Sequence, residues 1–209
     1  QGLTILKHVY IALNKAKKHL GQNFQYYQAE MEDEMAERLA MLRMLRQDFA
    51  NDKLQLWYQP QVSLNSKQVV GMEALLRWPQ GNGQFVSPAV FIPLAERFGL
   101  MQSIDRWVFN QVLDGLEQEP HHVAQLEKVA INLSGLSLGD DNLLQHILQR
   151  FARSAVPPAK VCFEITESVA IVNLQNTLSF IQFFRGQGCL FALDDFGSGF
   201  SSYSYLKHF

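Results

Sequence analysis

Cys189-Leu190-Phe191-Ala192-Leu193-Asp194-Asp195-Phe196-Gly197-Ser198-Gly199 runs a strand-length apolar segment straight into two adjacent carboxylates and two glycines. A strand that buries Phe191, Ala192 and Leu193 and then shows water two acids on a flexible loop is built like a hard-cation site. Neighbouring carboxylates repel each other, and a divalent ion rewards them. Alone, the run reads equally as an Asp-rich turn capping a helix at Ser201-Ser202. The decision comes from earlier segments, where apolar runs again end in polar residues.

Working back from this strand to Leu54, apolar runs of strand length alternate with helical patterns. Strands are expected at residues 56–62, 69–78, 129–133, 161–166 and 189–194, and helices at 88–98, 103–117, 143–153 and 174–187. Pro157-Pro158 and Gly186-Gln187-Gly188 supply turns between helix and strand. This alternation predicts β/α units around a largely parallel sheet. Ahead of it, residues 3–20 read as a helix with Ile5, Val9, Ala12, Leu13 and Ala16 on its apolar face, followed by a strand-like run, Phe24-Gln25-Tyr26-Tyr27. Residues 30–50 form a second helix with Met31, Met35, Leu39, Leu42, Leu45 and Phe49 at steps of three and four. Such a Met-rich helix packs on a neighbouring domain or pairs with a second copy, so a homodimer is one expectation.

The 209 residues are 47% hydrophobic with a net charge of −2, which allows one substantial core and offers no basic stripe for a nucleic-acid polymer. Cys162 and Cys189 sit inside apolar runs without metal-ligand spacing, the pattern of buried thiols in a reducing compartment. His121-His122 read as a surface loop, and Glu96 as a solvated or capping group, with a ligand contact as the alternative. No apolar run approaches the ~20 residues of a membrane span, and no signal peptide is visible, so a cytoplasmic location is expected. Gln1 at one end and Leu206-Lys207-His208-Phe209 at the other read as cuts in a longer protein, which leaves room for a membrane anchor upstream.

In β/α folds the loops at the carboxyl ends of the strands converge, and chemistry gathers there. The five expected strands bring Gln59; Glu73 and Arg77; Asn132; Glu164 and Glu167; and Asp194 with Asp195. Side chains alternate along a strand, so Glu73, Leu75 and Arg77 share a face, while Asn132 and Glu164 stand opposite their apolar neighbours. Glu73, Asn132, Glu164, Asp194 and Asp195 are then expected to meet as an all-oxygen cluster suited to Mg²⁺ or Mn²⁺. Arg77 could instead pair with one of the acids, and Gln59, before Pro60, reads equally as a strand-exit hydrogen bonder.

From about Leu54 onward the chain resembles the EAL domain, a bacterial phosphodiesterase module for cyclic di-GMP. The resemblance rests on Tyr58-Gln59-Pro60, Glu73-Ala74-Leu75-Leu76-Arg77-Trp78, Phe91-Ile92-Pro93-Leu94-Ala95-Glu96, Asn132-Leu133-Ser134, Glu164-Ile165-Thr166-Glu167-Ser168 and Asp194-Asp195-Phe196-Gly197, in that order. It implies a TIM-like (β/α)8 barrel whose first strand runs against the others, here incomplete at about five β/α units and preceded by N-terminal helices. It implies that Glu73, Asn132, Glu164 and Asp194 bind one metal, that Asp195 binds a second, that Gln59, Leu75 and Arg77 hold the dinucleotide, and that Glu167 braces the loop after Asp195. The implied reaction is two-metal hydrolysis of cyclic di-GMP to linear pGpG. The family's Thr-Gly-Tyr stands here as Ser198-Gly199-Phe200.

Residues 1–30 resemble the tail of a GGDEF domain, through Ile11-Ala12-Leu13-Asn14-Lys15-Ala16-Lys17-Lys18, without its signature. The expected organisation is therefore a GGDEF-like tail at 1–30, a linker helix at 31–53 and a C-terminally truncated EAL domain at 54–209. The family's downstream Lys, Glu and Gln are not within these residues, so the chain alone is expected to be inactive. The alternatives are a cyclic di-GMP receptor that binds without cutting, or an inactive fragment acting only through its linker helix.

Overall fold

Parallel pairing of short apolar strands organises the larger of the two units into which the chain divides, residues 53–209; the smaller is 1–52. The computed structural model describes residues 2–16, 26–81 and 83–195. The smaller unit holds helices α1 (Gly2–Ala16) and α2 (Ala29–Ala50). On α2, Met31, Leu42 and Leu45 are buried, on the face expected from the three-and-four spacing. On α1 the expected apolar face divides: Ala12 and Ala16 are buried with Ile11, whereas Ile5, Val9 and Leu13 are at least half exposed. Ile11 falls between the residues of the expected stripe, and helix α1 turns that flank inward instead. The two helices are joined by polar contacts on Glu32, which accepts from Lys7 and, at 2.8 Å, from the Tyr27 hydroxyl, while the His8 and Tyr27 rings stack at 3.8 Å. Tyr26 and Tyr27 belong to no strand; Phe24 and Gln25 lie outside the described residues.

In the larger unit the strands are β1 (Gln55–Val62), β2 (Val69–Pro79), β3 (Phe85–Val86), β4 (Lys128–Asn132), β5 (Val161–Thr166) and β6 (Leu190–Asp194). They form one sheet in the order β1-β2-β4-β5-β6, with β3 added on β2. β1 runs antiparallel to β2, setting Gln59 opposite Glu73 and Trp57 opposite Leu75. β2, β4, β5 and β6 are mutually parallel. The intervening helices are α3 (Pro88–Arg97), α4 (Met101–Gln118), α5 (Pro120–Gln125), α6 (Asp141–Ala152), α7 (Glu167–Val172) and α8 (Leu174–Gly186). α3 starts where Pro88 presets the backbone after Ser87, and α6 starts where the Asp140 carboxylate accepts from the Asn142 amide at 2.9 Å.

One face of the sheet is apolar and packed on these helices. Phe163 of β5 is fully buried, with the rings of Phe109, Phe180, Phe184 and Phe191 centred 5.7–6.1 Å away. α4 supplies Ile104, Val108, Phe109, Val112 and Leu113, all buried and spaced by three and four. Arg150 of α6 reaches back to α4 with forked bonds to Glu117, each 2.9 Å, and one to Asp114 at 2.5 Å. Cys162 and Cys189 are buried free thiols, as expected.

Three elements differ from expectation because each is too short for a periodic signal. β3 has two residues, α5 turns His121-His122 from loop into helix, and α7 occupies a segment left unassigned after Glu167. Phe163→Ala removes the ring on which four others converge, and should cost about 3–5 kcal/mol of unfolding free energy. Urea denaturation of the purified protein reads this loss. A cost below about 1 kcal/mol would mean that the aromatic cluster repacks without it.

Candidate functional site

The sheet's second face is polar, and the strand registers set the height of each group on it. Gln59, Glu73, Ala130, Cys162 and Leu190 share one rung. Asn132, Glu164 and Ala192 share the next, two residues nearer the carboxyl ends, and Thr166 and Asp194 the one beyond. The Asn132 amide nitrogen donates to Glu73 Oε1 at 3.0 Å, bridging the first two rungs. Glu164 is buried, and that burial, together with the carboxylates of Glu73 and Asp194, pushes its own carboxyl above the ordinary range. Lys128, lower on the same face of β4, opposes the shift and lies 4.0 Å from Cys162 Sγ.

The remaining expected residues fall around this face. Gln59 is exposed on β1. Leu75 is half-buried opposite Trp57, and Arg77 is half-buried opposite Gln55. The Arg77 guanidinium bonds the Leu76 carbonyl at 2.9 Å and stands 5.9 Å from the Trp57 ring centre. Glu167 is buried as the first residue of α7, directly after β5. Asp195 follows β6 with φ of 53°, in the left-handed region, so the chain turns sharply between the two adjacent carboxylates. Asn132 and Glu73 are thus in contact and Glu164 feels both Glu73 and Asp194. Among the described residues, no three His, Cys, Asp or Glu side chains are grouped closely enough to hold a metal ion. Phe196 and the glycine loop lie outside the described residues.

Sequence reasoning missed three residues. Trp57 and Lys128 share the polar face, and strand alternation with Gln59 and Asn132 would have placed them there. Asp105 is buried on α4, on the same three-and-four stripe as Met101, Val108 and Phe109, so the helical period could have placed it there although its charge argues against burial. Glu96 is half-buried rather than solvated, and burial raises its carboxyl. Its charge is felt by the buried Asp105 carboxyl of α4.

A mixed sheet with an antiparallel first strand, helices on its apolar face and acids toward the carboxyl ends of its parallel strands, open between β1 and β6 among the described residues, is the architecture of an incomplete TIM-like (β/α)8 barrel. The EAL domain model matches residues 42–209, and the chain belongs to that family. Among its relatives, it is 40% identical to the cyclic di-GMP phosphodiesterase PdeB of Shewanella oneidensis over 78% of this chain and 19% of that protein. It is 30% identical to the bifunctional diguanylate cyclase/cyclic di-GMP phosphodiesterase MucR of Pseudomonas aeruginosa, over 94% of this chain and 29% of that one. A solved structure titled PaMucR phosphodiesterase, c-di-GMP complex, superposes with a TM-score of 0.74 at 32% identity, covering 81% of this chain and 68% of that one. The chain spans 24–30% of the length of the first curated relatives it matches. Among the described residues, no helix is long and apolar enough to cross a membrane.

The raised carboxyl of Glu164 makes a prediction whose sign is fixed. Its charged form is penalised in the fold, so its contribution is favourable below the unfolded pKa and is lost as pH rises through the folded one. Glu164→Gln should therefore stabilise the protein at pH 7.5 by about 0.5–2 kcal/mol and lose that gain at pH 4. Thermal melts of both proteins at the two pH values check it; equal midpoints at pH 7.5 would show that the burial is compensated.

Proposed function

We propose that this chain forms the ligand-binding and metal-binding part of a metal-dependent phosphodiesterase that hydrolyses cyclic di-GMP to linear pGpG. The observation that carries the reading is the shared polar face: Glu73, Asn132, Glu164 and Asp194 rise rung by rung beside Gln59, Leu75 and Arg77. The relatives named as cyclic di-GMP phosphodiesterases support the same substrate. Residues 1–30 are assigned to a GGDEF-like tail, with the upstream remainder of that domain as an intramolecular partner.

The donor set fits a divalent metal. Every candidate ligand offers oxygen, and the mutual repulsion felt by Glu164 is the field a cation relieves. Glu73, Asn132, Glu164, Asp194 and Asp195 would hold Mg²⁺ or Mn²⁺. When bound, such ions act as Lewis acids that lower the pKa of water and offset charge on a phosphoryl group. Arg77 meets a phosphate with a forked pair of donors, in the orientation that the Trp57 ring and the Leu76 carbonyl give it. Leu75 offers an apolar surface and Gln59 an amide on the adjoining strand. Asn132 fixes Glu73 through its 3.0 Å bond, so one carboxylate oxygen is already oriented. Glu167, buried at the start of α7, is assigned the role of loop brace that the family resemblance implies. In the reaction, the oxygen of water bonds to phosphorus, the bond to the 3′ oxygen breaks, and that oxygen takes a proton. The ring opens to pGpG.

A second reading is a receptor that binds without cutting. It is favoured by the separation of the carboxylates over three rungs, while the binding residues Gln59, Leu75 and Arg77 stand together on β1 and β2. The two readings part on one experiment with the full natural protein. Phosphodiesterase activity predicts conversion of cyclic di-GMP to pGpG in Mg²⁺, and binding without turnover in Ca²⁺. Glu73→Ala should lower the turnover about a hundredfold or more, while Arg77→Ala should chiefly weaken binding. Tight binding with no pGpG in Mg²⁺ or Mn²⁺ would favour the receptor.

A further inference from the structure

Asp105 of α4, 2% exposed, is the most enclosed carboxylate among the described residues and stands outside the polar face. Its Oδ2 accepts three hydrogen bonds from the turn after β4: from the Ser134 amide at 3.1 Å, the Ser134 hydroxyl at 2.7 Å and the Ser137 hydroxyl at 2.6 Å. The two hydroxyls also lie 3.2 Å apart. Backbone bonds from Ser137 to Ser134 and from Asp140 to Ser137 then carry the turn into α6. Opposite Asp105, the turn lies against α7: a Cβ added at Gly135 would stand 3.1 Å from Val169 Cγ1 and from Asn173 Nδ2.

A buried carboxylate is an expensive way to secure a turn. Burial pushes the Asp105 carboxyl up to about 6 despite the serine bonds, and the like charge of Glu96 on α3 adds to the shift. A charged acceptor nevertheless does what an apolar side chain cannot, because it satisfies a buried amide and two buried hydroxyls at one point. That point is two residues from Asn132. Between them, the Leu133 amide bonds the Glu164 carbonyl at 2.9 Å and continues the β4–β5 ladder one residue past Asn132. Asn132 is thus held by the ladder on one side and by the Asp105-anchored turn on the other.

We propose that Asp105 is a positioning residue for metal binding, acting through Ser134 and Ser137 to fix the backbone that presents Asn132 to Glu73. The proposal rests on the reading of Asn132 and Glu73 as metal ligands. Outer partners of this kind are typically worth about 10–100-fold in metal affinity.

The test is Mn²⁺ binding by the full natural protein, followed through the paramagnetic resonance signal of free Mn²⁺, in the absence of dinucleotide. Asn132→Ala serves as reference. Asp105→Asn, which keeps the shape and loses the charge, should weaken Mn²⁺ binding about tenfold while thermal unfolding stays cooperative. Ser137→Ala removes a single bond and should weaken it roughly threefold, which keeps the idea testable should Asp105→Asn fail to fold. If both variants fold and bind Mn²⁺ like the parent while Asn132→Ala does not, Asp105 is merely structural and the proposal is wrong. A parent that binds no Mn²⁺ overturns the metal-site reading itself, and the proposal with it.

Discussion

The parallel pairing of β4 with β5 is the constraint on which the rest of the larger unit depends. Its register sets Ile131 beside Phe163 and Asn132 beside Glu164. Because side chains alternate, that one choice sends Phe163 into the aromatic cluster and Glu164 to the polar face. A slip of one residue would bury a carboxylate among phenyl rings and expose Phe163. The register is therefore enforced by the hydrophobic core, and the polar face inherits its order from it.

Tension is built into that face. Glu164 carries the cost of burial and of two neighbouring carboxylates, and Lys128 offsets only part of it. Arrangements that oppose stability in this way are typical of sites kept for chemistry. Asp105 shows the same logic behind the sheet, where a buried charge secures a turn that apolar packing could not hold so closely. Around these points the structure is conventionally stabilised, by an aromatic core and by the forked Arg150 contacts that tie α6 to α4.

The polar face joins a hairpin to parallel strands that adjoin it in space but lie far from it in sequence. β1 and β2 form a hairpin that places Gln59 opposite Glu73 and Trp57 opposite Leu75. β4, the neighbour of β2 in the sheet, begins only after β3, α3, α4 and α5 have intervened in the chain. A ligand lying across these strands would thus touch amide, apolar and guanidinium groups on the hairpin and oxygen donors on the parallel strands. That division of labour is consistent with a dinucleotide whose bases and phosphates need different partners.

Much of this was legible in the chain itself. Apolar runs of strand length ending in Glu73, Asn132, Glu164 and Asp194 foretold the sheet and the face on which those groups stand, because strand periodicity is a local property. The long helices were equally readable from their three-and-four spacing, as were the buried thiols. Elements of two to six residues, β3, α5 and α7, were not, since they are too short to show a period and form through packing. The partition of the α1 apolar face, the half-burial of Glu96 and the Asp105–Ser134–Ser137 network were also beyond the sequence. Each depends on which surfaces of separate elements meet in the folded chain. The sequence by itself determined which side chains share a face; only the tertiary structure decided the rung on which each stands, because parallel register is settled by the packing of the opposite side of the sheet.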